Sequence, residues 1–99
     1  MDISVMELKE KLDAGEDFIF IDVREPYEYA EYNLGATLIP MGVIPAKLSD
    51  YQDVKEQEIV VHCRSGARSG QVKEFMMQSG FTNVRNLIGG VLEWQARGY

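Results

Sequence analysis

Short apolar runs alternate along this chain with segments whose apolar residues recur at helical spacing. Two runs, Phe18–Val23 and Ile59–His62, are almost continuously apolar and rich in β-branched or aromatic residues, as is typical of parallel strands covered on both faces. Two shorter runs, Thr37–Ile39 and Val84–Leu87, predict further strands, and Ile3 is expected to begin a short edge strand. The pattern therefore predicts a mainly parallel sheet of about five strands.

Helices are predicted between these strands. Ser4 followed by Glu7 has the pattern of a capping box at the start of the first helix. In the fourth predicted helix, Phe75 and Met76 are assigned to the buried face and Met77 to the exposed one. The five predicted helices run from Val5 to Gly15, from Pro26 to Glu31, from Ile44 to Leu48, from Ser69 to Gly80 and from Val91 to Arg97. Strands that alternate with helices imply an α/β fold whose sheet carries helices on its faces.

Composition narrows the class of protein. The 99 residues predict one domain, 1–99, and 45% hydrophobic with 26% charged residues is the balance of a folded chain rather than a disordered one. No apolar run reaches the ~20 residues of a bilayer span, and no secretory signal begins the chain. The net charge of -6 argues against nucleic acid as a partner. Acidic residues concentrate in residues 1–59, with 14 acidic and 5 basic side chains, whereas residues 60–99 hold 2 and 5.

The basic C-terminal part contains the single cysteine, Cys63. One Cys excludes an internal disulfide framework, and one Cys with one His leaves too few ligands for a zinc site. A lone thiol fits a reducing compartment, so we expect a cytoplasmic protein.

The segment from Cys63 to Ser69 has the features of an anion-binding loop. A buried strand ends at His62, Cys63 follows at once, and a helix is predicted about five residues later. Gly66 permits a tight turn whose N–H groups point inward, and the N-terminus of the helix adds positive potential. Arg64 and Arg68 add full charges nearby. Together these features favour a thiolate at neutral pH. The alternative is a small buried hydrophobe in a scaffold turn, which would require neither the arginines nor a place at the carboxyl edge of the sheet.

Three neighbouring polar residues are assigned supporting or packing roles. Asp22 and Arg24 end the first long strand at the same edge as Cys63, and we expect them to brace its loop rather than to react. The alternative is a local network that satisfies backbone groups at the start of the next helix. His62 is interpreted as a packed strand histidine, because neighbours on a strand point to opposite faces.

Several motifs, in order and spacing, resemble the rhodanese-like (sulfurtransferase) family over nearly the whole chain. The first is Ile21-Asp22-Val23-Arg24-Glu25-Pro26, continued by Glu28-Tyr29, Gly35-Ala36 and Ile39-Pro40; the second is Ile59 to Ser69; the third comprises Gly80-Phe81, Val84, Leu87, Gly89-Gly90 and Trp94. The stretch Glu31–Ala36 lacks a histidine common in the family and is one residue shorter. The resemblance implies a three-layer α/β sandwich.

The resemblance also implies a reaction. Cys63 would attack a sulfane sulfur donor such as thiosulfate or a persulfide, become a persulfide itself, and pass the sulfur to cyanide, a thiol or a protein acceptor. The residues of the substrate and anion-binding loop would be Arg64, Ser65, Gly66, Ala67 and Arg68, with Asp22, Arg24 and Ser69 in support. No metal or organic cofactor is implied, and a monomer is expected.

Two other functions remain open at this stage. A non-catalytic sulfur carrier or interaction module is one, although the cysteine counts against an inert module. A phosphatase of the same general loop chemistry is the other. Four residues separate Cys63 from Arg68, one fewer than in the phosphatase motif, so by family analogy the loop is sized for sulfur rather than for a phosphoryl group.

Overall fold

A parallel four-stranded sheet lies at the centre of the computed structural model, which describes residues Met1–Tyr99. The strands are β1 (Ile19–Asp22), β2 (Thr37–Leu38), β3 (Ile59–His62) and β4 (Val84–Asn86), in the spatial order β2-β1-β3-β4. All three strand pairs are parallel. The sequence predicted about five strands, and the fifth is reduced to a single bridge from Ile3 to Leu87, because the chain turns into a helix at Ser4.

Five α-helices precede, connect and follow the strands: α1 (Val5–Asp13), α2 (Pro26–Glu31), α3 (Ile44–Lys47), α4 (Ala67–Gln78) and α5 (Gly90–Ala96). Two 3-10 segments, Met41–Val43 and Leu48–Val54, flank α3. All five predicted helices are present. The fourth begins at Ala67, two residues before the predicted start, because Gly66 adopts φ 105° and forms its N-cap.

The capping pattern at α1 is only half realised. The Ser4 hydroxyl accepts a hydrogen bond from the N–H of Glu7 at 3.1 Å. The Glu7 carboxylate does not return to Ser4, because it accepts a hydrogen bond from Arg85 on β4 instead. The prediction that Ser4 caps the helix is therefore confirmed, and the prediction that Glu7 completes the capping box is wrong.

Side chains on the two faces of the sheet form two hydrophobic clusters. β3 contributes to both, since Ile59 and Val61 lie in the larger cluster and Val60 in the smaller one. The larger cluster packs against α3 and α4, and the smaller cluster joins α1 and α5. Helices thus cover both faces, and the predicted α/β sandwich is confirmed. None of the helices is both long enough and apolar enough to cross a membrane.

One core assignment on α4 is wrong. Met76 is fully buried, but Phe75 is 40% exposed and lies beside a small groove rather than in the core. The helix faces the sheet with Ser69, Val72 and Met76, and Phe75 is one residue, about 100°, away from that face. Met77 is exposed as predicted.

Parallel strands bring the polar residues that follow them to one edge. Asp22 and His62 are register partners at the ends of β1 and β3. Arg24 and Cys63 come directly after these two strands, and Asn86 ends β4 beside β3. A functional site in an open parallel sheet is expected at this edge.

Candidate active site

The Cys63 sulfur lies at the centre of a ring of hydrogen-bond donors. Its Sγ accepts from the backbone N–H of Gly66 at 3.1 Å and from the N–H of Ser69 at 3.4 Å. The Ser69 hydroxyl lies 3.3 Å from the same sulfur. Only 1% of Cys63 is exposed, whereas Ser65 and Ala67 are exposed on the rim of the loop. Of the residues predicted to bind anions, Arg64 to Arg68, Gly66 donates to the sulfur, and the supporting residue Ser69 donates beside it.

The start of α5 gives the loop its shape. The N–H of Val91 donates to the Cys63 carbonyl at 3.1 Å, and the N–H of Leu92 donates to the Arg64 carbonyl at 3.0 Å. With these carbonyls held by α5, the following N–H groups turn toward the sulfur. Gly90 is required for the close approach, because a Cβ there would lie 2.5 Å from the Cys63 carbonyl oxygen and 2.6 Å from that of Arg64. From the sequence, Gly89-Gly90 was known only as part of the third rhodanese-like motif.

Asn86 is a second site residue that sequence reasoning missed. Its Nδ2 donates to the Gly66 carbonyl at 3.1 Å, and its Oδ1 accepts from the Ser69 hydroxyl at 2.5 Å. Asn86 therefore contacts the two residues that donate to the sulfur. The available signal was its position at the end of the strand next to β3, at the edge where Cys63 was expected.

Burial and hydrogen bonding act in opposite directions on the Cys63 thiol. Burial alone raises its pKa, but the Ser69 hydroxyl and the N–H groups of Ser69, Gly66 and Ser65 favour the thiolate more strongly. The net result is a pKa below the usual value for cysteine. The donors that stabilise the anion are amides and a hydroxyl, whereas neither Arg64 nor Arg68 donates to the sulfur.

The two loop arginines are in different environments. Arg68 makes a bidentate ion pair with Glu28 of α2, with distances of 2.7 and 2.9 Å. This pairing, with a smaller effect from the N–H of Glu25, lowers the pKa of Glu28 to about 2 despite an opposing effect of burial. The Arg64 guanidinium has no partner in the protein and lines a cleft of about 190 Å³ together with Tyr32 and Leu92.

Asp22 and Arg24 form a buried pair at the end of β1, and their side chains form hydrogen bonds with each other and with α2. The Asp22 carboxylate is fully buried and accepts from the Arg24 N–H at 2.9 Å and from its Nη2 at 2.8 Å. Arg24 also donates to the Tyr32 carbonyl, at the end of α2, at 2.7 Å. The pair therefore holds α2, and α2 carries the Glu28 that binds Arg68.

His62 is enclosed below the sheet edge and does not reach the sulfur. It is fully buried against the Phe20 ring, at 5.2 Å between ring centroids. Its Nε2 lies 3.6 Å from Asp22 Oδ2 and has no hydrogen-bond partner. Burial lowers the pKa of His62, against the opposing effect of the Asp22 carboxylate, so the ring is neutral at pH 7. These contacts agree with a packed strand histidine.

The arrangement has the properties of a nucleophilic site for sulfur chemistry. It offers one cysteine whose pKa is lowered, donors that would stabilise negative charge on its sulfur, and one unpaired guanidinium near the rim. No three His, Cys, Asp or Glu side chains come together in a geometry that would hold a metal ion.

Comparison with known proteins gives concordant results. The family model described as "Rhodanese-like domain" matches residues 4–97. A sulfurtransferase of Allochromatium vinosum is 37% identical over 98 residues, which cover 98% of this chain and 90% of the relative. A rhodanese-related protein from Thermoplasma volcanium superposes with a TM-score of 0.84 at 28% identity, covering 99% of this chain and 93% of that one. The human single-domain sulfurtransferase TSTD1 gives 0.83 at 26% identity, with 97% and 96% covered.

Proposed function

Because this chain belongs to the rhodanese-like family, we propose that it is a sulfurtransferase that carries sulfane sulfur as a persulfide on Cys63. The relatives named above as sulfurtransferases support sulfur transfer in general. Support for Cys63 as the carrier comes from one observation: its sulfur accepts hydrogen bonds from two N–H groups and lies beside the Ser69 hydroxyl, in a site where burial would otherwise keep it protonated.

The proposed reaction has two half-reactions. The Cys63 thiolate attacks the terminal sulfur of thiosulfate, the S–S bond of the donor breaks, and sulfite leaves with the bonding electron pair. A persulfide donor would react in the same way, with a thiolate as the leaving group. Cyanide, a small thiol or a protein thiol then attacks the outer sulfur, and Cys63 leaves as the thiolate. The same N–H groups would stabilise the thiolate and the persulfide anion.

The other residues have roles that follow from their contacts. Arg64, which is unpaired, would attract the anionic donor and its leaving group. Arg68 would fix the loop through Glu28, and Asp22 with Arg24 would hold α2 in place for that contact. Ser65 and Ala67 would form the rim that the donor passes. No metal or cofactor takes part, and we place the protein in the cytoplasm as a monomer.

Mass spectrometry after incubation with thiosulfate tests this proposal. We expect the intact protein to gain one sulfur atom at Cys63, and addition of cyanide to release it as thiocyanate. Cys63→Ser should gain no sulfur, lose all turnover and keep its melting temperature, because Ser fills nearly the same space. Ser49→Ala, an exposed serine in the 3-10 segment Leu48–Val54 away from the loop, is the matched control and should retain transfer. Sulfur gain or turnover in Cys63→Ser would place the chemistry elsewhere.

A specialised sulfur carrier is the second candidate. It is supported by another relative, the putative sulfur carrier protein YrkF of Bacillus subtilis, which is 31% identical over 97 residues that cover 97% of this chain and 51% of the relative. The same experiment separates the two functions. A carrier would hold the sulfur through many equivalents of cyanide and release it only to a particular protein thiol, whereas an enzyme turns over with the small acceptor.

A further inference from the structure

The Ser69 hydroxyl lies between two groups that can both accept its single proton. Its Oγ is 3.3 Å from Cys63 Sγ and 2.5 Å from Asn86 Oδ1. A hydroxyl has one O–H to donate. Ser69 is fully buried, so water does not relieve this competition.

The side-chain amide of Asn86 is held in the orientation that places its Oδ1 next to the Ser69 hydroxyl. Its Nδ2 donates to the Gly66 carbonyl, and a reversed amide would instead place Oδ1 against that carbonyl oxygen. The orientation with Oδ1 toward Ser69 is therefore the one in which both ends of the amide are satisfied. The backbone of Asn86 is also fixed, because its N–H donates to Asp2 and its carbonyl accepts from the N–H of Ile3.

We propose that Asn86 is a positioning residue that competes with the Cys63 sulfur for the Ser69 hydroxyl proton. With Cys63 as a thiol, its S–H points at Ser69 Oγ and the Ser69 O–H points at Asn86. With Cys63 as a thiolate or persulfide anion, the Ser69 O–H turns to the sulfur and Asn86 Oδ1 loses its donor. Asn86 thus limits how strongly Ser69 stabilises the anion, which keeps the sulfur more basic and hence more nucleophilic.

The proposal predicts effects of opposite sign for two neighbouring deletions. Ser69→Ala removes a donor to the anion and should raise the pKa of Cys63. Asn86→Ala removes the competitor and should lower it, increasing the acid dissociation constant about three- to tenfold. If Asn86 only held Gly66 in place, Asn86→Ala would instead raise the pKa of Cys63. Without the Asn86–Gly66 hydrogen bond, the Gly66 N–H would donate less well to the sulfur.

A double-mutant cycle isolates the hydroxyl contribution. The pH midpoint of Cys63 alkylation by iodoacetamide is measured in the wild type, Ser69→Ala, Asn86→Ala and the double variant. Asn86→Ala removes the hydrogen bond to Gly66 whether residue 69 is Ser or Ala. The effect of that loss on the Cys63 pKa therefore cancels when the two changes are compared. The surrounding charged and titratable groups also stay the same in all four proteins: the pairs Arg68–Glu28, Asp22–Arg24 and Lys73–Asp2, together with His62 and Arg64.

We expect Asn86→Ala to increase the acid dissociation constant at least about threefold more when Ser69 is present than when it is Ala. An equal change in the two backgrounds, or a smaller one with Ser69 present, overturns the proposal. If Asn86→Ala unfolds, Asn86→Leu, which has a similar shape and no polar atoms, takes its place in the cycle. The inference rests on the proposed function for its meaning, but alkylation needs no sulfur transfer, so the two can fail separately.

Discussion

At the scale of single residues, the contrast between Arg64 and Arg68 is informative. Both flank the cysteine loop, yet Glu28 neutralises Arg68 through two short hydrogen bonds while Arg64 remains unpaired. A paired guanidinium has little charge left to attract a substrate. If the donor is anionic, as proposed, its attraction to the site would therefore depend on Arg64.

Arg64→Ala should weaken the binding of thiosulfate with little effect on discharge of the persulfide. We expect KM for thiosulfate to rise about two- to fivefold, the range for an exposed charge pair, and kcat to change little. Arg97→Ala, which removes an exposed arginine of the same charge on the last turn of the chain, is the matched control. Steady-state kinetics at low and high salt make the comparison, because screening should reduce the Arg64 effect. Equal KM changes in both variants would contradict this role.

At the scale of secondary-structure elements, the loop is held from two sides. α5 binds the Cys63 and Arg64 carbonyls through its first N–H groups, and α2 binds α4 through Glu28 and Arg68. The conformation of the loop therefore depends on helices that lie far from it in the chain. One residue in each helix tests its contact with the loop: Gly90 in α5 and Glu28 in α2.

Gly90→Ala should disrupt the contact with α5. Gly90 has φ 57°, and the added methyl group would overlap two carbonyl oxygens, so we expect a loss of about 1–3 kcal/mol of unfolding free energy and a higher pKa for Cys63. Gly42→Ala is the control, since Gly42 has open space around its Cα and no positive φ. Urea unfolding and alkylation profiles report the two effects. If the Gly90 and Gly42 variants had the same unfolding free energy and the same alkylation profile, the contact with α5 would not determine the conformation of the cysteine loop.

Glu28→Gln should reveal the contribution of the α2–α4 ion pair and its dependence on pH. The folded-state pKa of Glu28 is about 2, below its usual 4.5, so the folded state binds fewer protons than the unfolded state between these values. The stabilisation is therefore complete above about pH 4.5 and is lost as the pH falls toward 2. Allowing for the partly exposed Arg68, we expect the wild type to exceed the variant by about 1–2 kcal/mol at pH 7.

Urea unfolding of both proteins between pH 7 and pH 2.5 provides the measurement. The difference between them should narrow steadily below pH 4.5. A difference that stayed constant across this range would mean that the side chain stabilises the fold through packing rather than through its charge.

At the scale of the whole molecule, β3 joins the two hydrophobic clusters and ends one residue before Cys63. Because its residues alternate between the clusters, the position of Cys63 is fixed by packing on both faces of the sheet. We expect Met76→Ala, in the larger cluster, to lower the free energy of unfolding by about 2–4 kcal/mol. Phe75→Ala, its exposed neighbour, should lower it by less than about 1 kcal/mol. Urea unfolding gives both values, and a larger loss for Phe75 would contradict the assignment of the core face.

The parts of this molecule that could be predicted from sequence are those encoded locally. Apolar runs specified β1 and β3, and a cysteine followed by Gly66 at the end of a strand indicated the turn that surrounds the Cys63 sulfur. The partners of that loop come from distant segments: Glu28 is 40 residues from Arg68, and Asn86 is 20 residues from Gly66. Their pairing depends on the order of strands and the tilt of helices, which residue spacing does not contain. The core assignment of Phe75 was wrong for a similar reason. Helical spacing alone does not determine which side of α4 packs against the sheet.

On the proposed function, the burial of Cys63, which is only 1% exposed, would make the site selective by shape. A terminal sulfane sulfur has one covalent neighbour and can approach through a narrow opening. Either sulfur of an organic disulfide carries a carbon substituent as well as its partner sulfur, and both would have to pass the rim residues. The loop should therefore admit sulfane donors while shielding an acidic thiol from mixed-disulfide formation with bulky metabolites, a protection that needs no additional residue.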